Sequence, residues 1–299
     1  MTSQNIQHQN IQQIRKTIAR NKRSDLIFSI IGLLSMSFAI LTLVALIAQL
    51  MVNGLPRVNW QFFTSFASTD ANKAGVLAAW VGSFLVMIVT AAAAIPIGIA
   101  SGIYLEEYAR KNWFTDFIEI NVANLAAVPS IIYGMLGLGV FVYALKLGQS
   151  IASAGFTLAL LILPVVIVAT REALRAIPGS IREAAYACGA SKWQVIWDHV
   201  LKYSFGTILT GIIVALSRAI GETAPLIVVG AVAFIAFLPD SLLSQYTVMP
   251  IQMYRWTDVP DPEFRANAAA AGIVLVLMTL AMNAIAIYLR YRLRKNITW

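Results

Sequence analysis

Six long stretches of this 299-residue chain carry almost no charge, and they decide what it can fold into. They run over residues 26–52, 74–105, 120–145, 149–170, 203–239 and 266–289. Each exceeds the ~18 apolar residues that suggest a membrane-spanning helix. In a bilayer the backbone must satisfy its own hydrogen bonds, so runs of this length predict helices. The chain is 59% hydrophobic and 12% charged, about half the charge of a soluble domain, which excludes a polar-shelled globule. The fold class is therefore all-α, a polytopic membrane protein with six transmembrane helices. Pro96, Pro129, Pro164 and Pro225 lie inside four of the runs. They predict kinked helices, with neighbours re-satisfying the freed carbonyls.

Basic residues orient the chain. Counted by alternate sides, the tails and connections hold 16 Lys/Arg on one side and five on the other, with Arg218 inside a run. The basic side is cytoplasmic by the positive-inside rule, which places both termini and the 171–202 connection there. The net charge of +8 thus reflects topology and not nucleic-acid binding. The first apolar run has 27 residues, longer than a signal-peptide core, and reads as a retained helix. Three parts follow: a Gln/Asn-rich cytoplasmic tail over 1–25 expected to be disordered, a membrane domain over 26–290, and a cytoplasmic tail over 291–299.

Several chemistries find no footing in the sequence. A single cysteine, Cys188, permits no internal disulfide. His8 and His199 have no partners at ligand spacing, so no metal site is expected. There is no G-x-x-x-x-G-K-[ST] phosphate cradle, and no Ser/His/Asp set in a soluble pocket. The chain is not expected to be an enzyme or to hold a cofactor of its own.

Two segments stand out. The cytoplasmic connection contains Arg182-Glu-Ala-Ala-Tyr-Ala-Cys-Gly-Ala-Ser-Lys-Trp193. Its small residues, Ala184, Ala185 and Gly189 among them, would let a short helix lie close to another surface, with Glu183 and Lys192 charging its ends. The fifth run contains Arg218-Ala-Ile-Gly-Glu222-Thr-Ala-Pro225. An Arg and a Glu four apart share a helix face. Charges at that depth cost roughly 2.5–3.5 kcal/mol each on insertion scales, so the two must pair, face a polar cavity, or both. A self-neutralising pair would fix helix register. An anion pathway would use the guanidinium, whose planar fork matches phosphate oxygens. Gly98-x-x-x-Gly102 in the second run predicts close helix packing.

These segments carry a resemblance. The E-A-A-x-x-x-G text at Glu183, Ala184, Ala185 and Gly189 resembles the membrane subunits of ATP-driven importers. Leu216-Ser-Arg-Ala-Ile-Gly-Glu-Thr-Ala-Pro-Leu226 resembles the PstA-type permease subunits of phosphate ABC importers, as do Val128-Pro-Ser-Ile-Ile-Tyr-Gly134 and Gly98-Ile-Ala-Ser-Gly-Ile-Tyr-Leu-Glu-Glu-Tyr108. The likeness spans about residues 75–290. It implies a type I ABC importer permease fold in a bacterial plasma (inner) membrane, forming half of a phosphate pathway. It implies a homologous permease as heterodimer partner, two ATPase subunits that hold ATP and Mg, and an extracytoplasmic phosphate-binding protein. The segment at about 171–204, through Glu183, Ala184, Ala185 and Gly189, would dock on the ATPase. Arg218, Glu222, Thr223, Pro129 and Ser130 would line the substrate path. Val168 stands where some relatives carry an intramembrane Arg, so a second Arg would come from the partner permease. A sulfate or molybdate permease fits the E-A-A text equally well and the 216–226 text less well. A secondary anion carrier would not need the docking segment.

Overall fold

The computed structural model describes residues 2–232 and 234–294, and all regular structure among them is helical. The first helix, α1 (Thr2–Gly54), forms a unit of its own up to Val52. It corrects the expectation of a disordered tail over 1–25: the backbone is helical from Thr2. The physical reason is local. The tail contains no Pro or Gly, and Ile11, Ile14 and Ile18 recur at helical spacing. A helix already nucleated by the apolar run extends through such residues at little cost.

The second unit covers residues 53–299. In chain order it contains α2 (Trp60–Thr64), α3 (Leu77–Ile103), α4 (Trp113–Leu125), α5 (Ser130–Gly137), α6 (Ile151–Arg175), α7 (Gly179–Ala187), α8 (Lys192–Gln194), α9 (Lys202–Ala219), α10 (Ala224–Val229), α11 (Met249–Asp258) and α12 (Glu263–Arg294). Wider π turns continue α3 through Tyr108, continue α5 through Ala144, and join α8 to α9. Across the two units five helices are long and apolar enough to cross a membrane, and there are six if the bent pair α4–α5 is counted as one span. The final tail, expected from residue 291, is helical to Arg294, and its last five residues lie outside the described ones.

At the centre α3 and α6 run side by side. A Cβ on Gly98 would fall 2.6 Å from Val166, one on Gly102 2.7 Å from Thr170, and one on Gly155 2.5 Å from Val89. The expected packing role of Gly98 and Gly102 is thus what the structure shows. Residue numbers rise together along both helices, so α3 and α6 are parallel. The chain must therefore return between Tyr108 and Ile151, and α4 and α5 make that return. Where one kinked helix is expected over 120–145, the run is two helices with a break between them. The axis turns by 103° between them. Pro129 lacks the N–H a continuous helix would use, and it biases Val128 away from helical geometry.

The fifth run also departs from expectation. It is not one helix over 203–239: α9 stops at Ala219, α10 restarts at Ala224, and the described residues between Val229 and Met249 form no regular helix. Gly221 loosens the turn, and Pro225 sits in the first turn of α10, where a missing N–H is tolerated. α12 packs antiparallel to α9, with Ser217 donating to Asn283 Oδ1 at 2.6 Å and Arg290 to Thr210 Oγ1 at 2.8 Å.

Beyond the start of α3 a small apolar cap gathers Phe62, Val76, Met249, Trp256 and Phe264. Arg57 fastens it, donating to Asn267 Oδ1 at 2.7 Å and to the carbonyls of Ala71 and Asn72 at 2.8 and 2.6 Å. Its charge is thereby used structurally.

Candidate functional site

The two helix breaks meet. Gly134 on α5 faces Pro225 on α10 so closely that a Cβ there would fall 2.7 Å from the Pro225 Cα and 2.8 Å from its carbonyl oxygen. Tyr133 belongs to the same apolar cluster as Ala219 and Ile220 at the end of α9, and Val128 lies against that cluster. The Tyr133 hydroxyl donates to the Leu125 carbonyl at 2.8 Å. The same carbonyl accepts from Val128 N–H at 3.1 Å, so two donors close the end of α4. Non-helical backbone at membrane depth is tolerated where it is buried in protein or lines a water-filled cavity. Two such breaks pressed together create irregular backbone in the interior of an otherwise apolar bundle.

Arg218 is in the last turn of α9, and Glu222 lies beyond the helix end. The expectation of one continuous helix face is corrected: the pair spans the break. Gly221 N–H donates to the Arg218 carbonyl at 3.4 Å and Glu222 N–H to Ala219 at 3.2 Å, a turn that still brings the side chains together. Arg218 Nε donates to Glu222 Oε1 at 3.4 Å, a long contact. The Arg218 side chain is 46% exposed and that of Glu222 19%. Neither Nη group of Arg218 is hydrogen-bonded among the described residues. The pair is thus incompletely closed, with most of the guanidinium fork open. Thr223 precedes α10 and is half-buried. Pro129 precedes α5, exposed, and Ser130 is its half-buried first residue. The five sequence-selected residues therefore sit at the two breaks, on elements that pack together.

The other segment folds as a helical hairpin. α7 ends in a Schellman turn: Ala190 N–H donates to the Ala185 carbonyl at 3.1 Å and Gly189 N–H to Tyr186 at 2.9 Å. Gly189 has φ +84°, and a Cβ there would meet nothing. Its role within this chain is conformational. Ser191 and Gln194 form a capping box that starts the return helix. Ala185 faces inward onto Leu174, Val195 and Val200, whereas Glu183 and Ala184 face outward. Trp193 and Trp197, one helical turn apart, stack at 5.4 Å and stay exposed.

A set of charges that sequence reasoning used only for topology ties this hairpin to the bundle. Arg182 donates to Glu107 Oε1 at 2.8 Å and to the carbonyls of Leu174 and Ile177 at 2.9 and 2.8 Å. Beside it, Arg171 pairs with Glu119 at 2.5 Å and Arg175 with Glu106 at 3.0 Å. These contacts join the ends of α3 and α6 to α4 and α7. The only sequence signal was Arg171 and Arg175 at i,i+4. Their acidic partners lie 52–69 residues away.

A family model described as "binding-protein-dependent transport system inner membrane component" matches residues 94–298. The phosphate transport system permease protein PstA of Yersinia pestis is 32% identical over 278 residues, covering 91% of this chain and 92% of its own. A probable ABC transporter permease, YqgI of Bacillus subtilis (strain 168), is 30% identical over 270 residues, covering 86% and 91%. Among solved structures, the crystal structure of a bacterial alginate ABC transporter in complex with an alginate-pentasaccharide-bound periplasmic protein contains a similar chain. It aligns with a TM-score of 0.66 over 93% of this chain and 98% of that one, at 15% identity. At that identity the likeness speaks to the fold alone.

Proposed function

The chain belongs to the family of binding-protein-dependent transport system inner membrane components, a multi-pass membrane permease without an ATPase site of its own, and from that membership we propose that it forms half of the pathway of an ATP-driven importer of inorganic phosphate. One observation carries the proposal: an arginine with an open, half-exposed fork of donors stands at a helix break inside an apolar run, beside a second break. Such discontinuous helices are how membrane transporters expose polar backbone to a substrate at mid-depth. The likeness to a phosphate permease over nine-tenths of the chain supports the choice of anion.

Arg218 would contact the anion, with Thr223 and Ser130 offering hydroxyls and Pro129 holding its break open. Glu222 would act as a filter. A carboxylate repels a fully ionised oxyanion, yet it accepts a hydrogen bond from the protonated oxygen that phosphate carries near neutral pH. Sulfate has no such proton. A site built around a hydrogen bond rejects an analogue unable to make it more strongly than a size filter could.

Energy would arrive through the hairpin. Glu183 and Ala184 would face an ATPase subunit, with Ala185 and Gly189 shaping the helix that presents them. The partners would be a homologous permease, two ATPase subunits holding ATP and Mg, and an extracytoplasmic phosphate-binding protein. Uptake by the reconstituted complex tests the substrate. Excess sulfate or molybdate should leave labelled phosphate uptake within about twofold of its uncompeted rate, and Glu222→Gln should make sulfate a better competitor. Equal competition by all three anions in the wild type would reject phosphate as the selected substrate.

A further inference from the structure

A groove of about 440 Å³ opens between α3, α9 and α12, away from the Arg218 site. Trp80, Phe84, Ile88, Leu216, Met282 and Ile285 contribute to its lining, which is apolar almost throughout. On α3 the lining runs from Trp80 to Ala91, and on α12 from Met278 to Ile285. At 1.5 Å per residue these are lengths of about 16 and 10 Å. A hydrocarbon chain is about 4–5 Å across, set by the carbon–carbon contact distance, so an open apolar groove of this length can seat one.

One end of the groove is chemically marked. Five residues beyond Ile285, about 7.5 Å along α12, is Arg290. It reaches across to Thr210 Oγ1 on α9 at 2.8 Å. No carboxylate among the described residues pairs with it. Tyr288 and Tyr291 flank it, both exposed. Tyrosines of this kind collect at the level of lipid headgroups. By the basic-side argument this end faces the cytoplasm, where the leaflet is rich in anionic lipid.

We propose that this groove binds the acyl chains of an anionic phospholipid of the cytoplasmic leaflet, with its headgroup phosphate on Arg290. Leu216 and Ile220 line the groove, and Ile220 adjoins the α9–α10 break. A bound lipid would therefore support the outer wall of that break.

The test uses the intact transporter complex, exchanged into micelles carrying phosphatidylglycerol or phosphatidylcholine and read by native mass spectrometry. Wild type should retain phosphatidylglycerol at about fivefold higher occupancy than phosphatidylcholine. Ala91→Phe with Ala281→Leu, which fills the groove, should lose that retained lipid. Arg290→Gln leaves the groove open, so it should keep a lipid but lose the headgroup preference. Undiminished retention in the filled groove overturns the proposal. So does a wild type that retains no lipid, the outcome expected if α1 or a partner permease covers the groove instead.

Discussion

Arg218 and Glu222 partly neutralise each other, and that alone would make a charged pair tolerable in a membrane. Geometry argues against neutralisation as their whole purpose. A pair kept only for packing would close in a short, bidentate contact. Here one Nε makes a 3.4 Å contact and both Nη groups are left over. Gly189 teaches a different lesson at the same scale. It is required by its φ of +84°, in a region where a side chain costs roughly 1–2 kcal/mol. Gly189→Ala should therefore strain the hairpin although the added methyl meets nothing in this chain. We expect the variant to insert normally and to co-purify with less ATPase, its association weakened about tenfold. Co-purification at the wild-type level would show that the Schellman turn is not needed for docking.

Among the elements, the hairpin and the broken spans depend on each other through charges. Arg182 makes four hydrogen bonds, two of them to the Glu107 carboxylate, and holds α7 beneath the ends of α3 and α6. Hydrogen bonds involving charged groups contribute roughly 1.5–3 kcal/mol each at most, so Arg182→Gln should loosen α7 without unfolding the bundle. The expected phenotype is uncoupling: ATP hydrolysis continues while phosphate moved per ATP falls severalfold. An unchanged ratio would remove Arg182 from the transmission route. This network was invisible in the sequence because its partners are far apart in the chain. The spans, by contrast, were legible because hydropathy is a local property. Pro129 and Pro225 signalled the breaks. That α4 turns by 103° into α5, and that Gly134 seats on Pro225, are tertiary facts with no local trace. The tail misled for the opposite reason: its Gln/Asn composition suggested disorder, while Ile11, Ile14 and Ile18 already carried a helical period. For the site, intramembrane charge pointed to Arg218 and Glu222 and the family resemblance to Pro129, Ser130 and Thr223, but only packing places the two segments on neighbouring elements.

For the whole molecule, parallel α3 and α6 impose an alternation. The 104–111 and 171–202 connections must share one side of the membrane, and the ion pairs between Glu106, Glu107, Arg175 and Arg182 place them there together. By the positive-inside rule the excess of basic residues predicts that this side is cytoplasmic. Cys188 is exposed and lies on it. An impermeant thiol reagent should therefore leave Cys188 unlabelled in intact cells and label it after permeabilisation. A cysteine at the exposed Gln245 should be labelled in both. The reverse pattern would invert the topology. The central claim is that the meeting of the two breaks is the anion path and not a packing device. An ion pair kept only for packing can often be replaced by apolar residues of similar volume without loss of stability, so Arg218→Met with Glu222→Leu separates path from scaffold. The decisive measurement is phosphate uptake by the assembled complex carrying both substitutions. The account predicts correct assembly with uptake reduced at least about a hundredfold, about 2.7 kcal/mol of barrier. Assembly with uptake at the wild-type rate would contradict it.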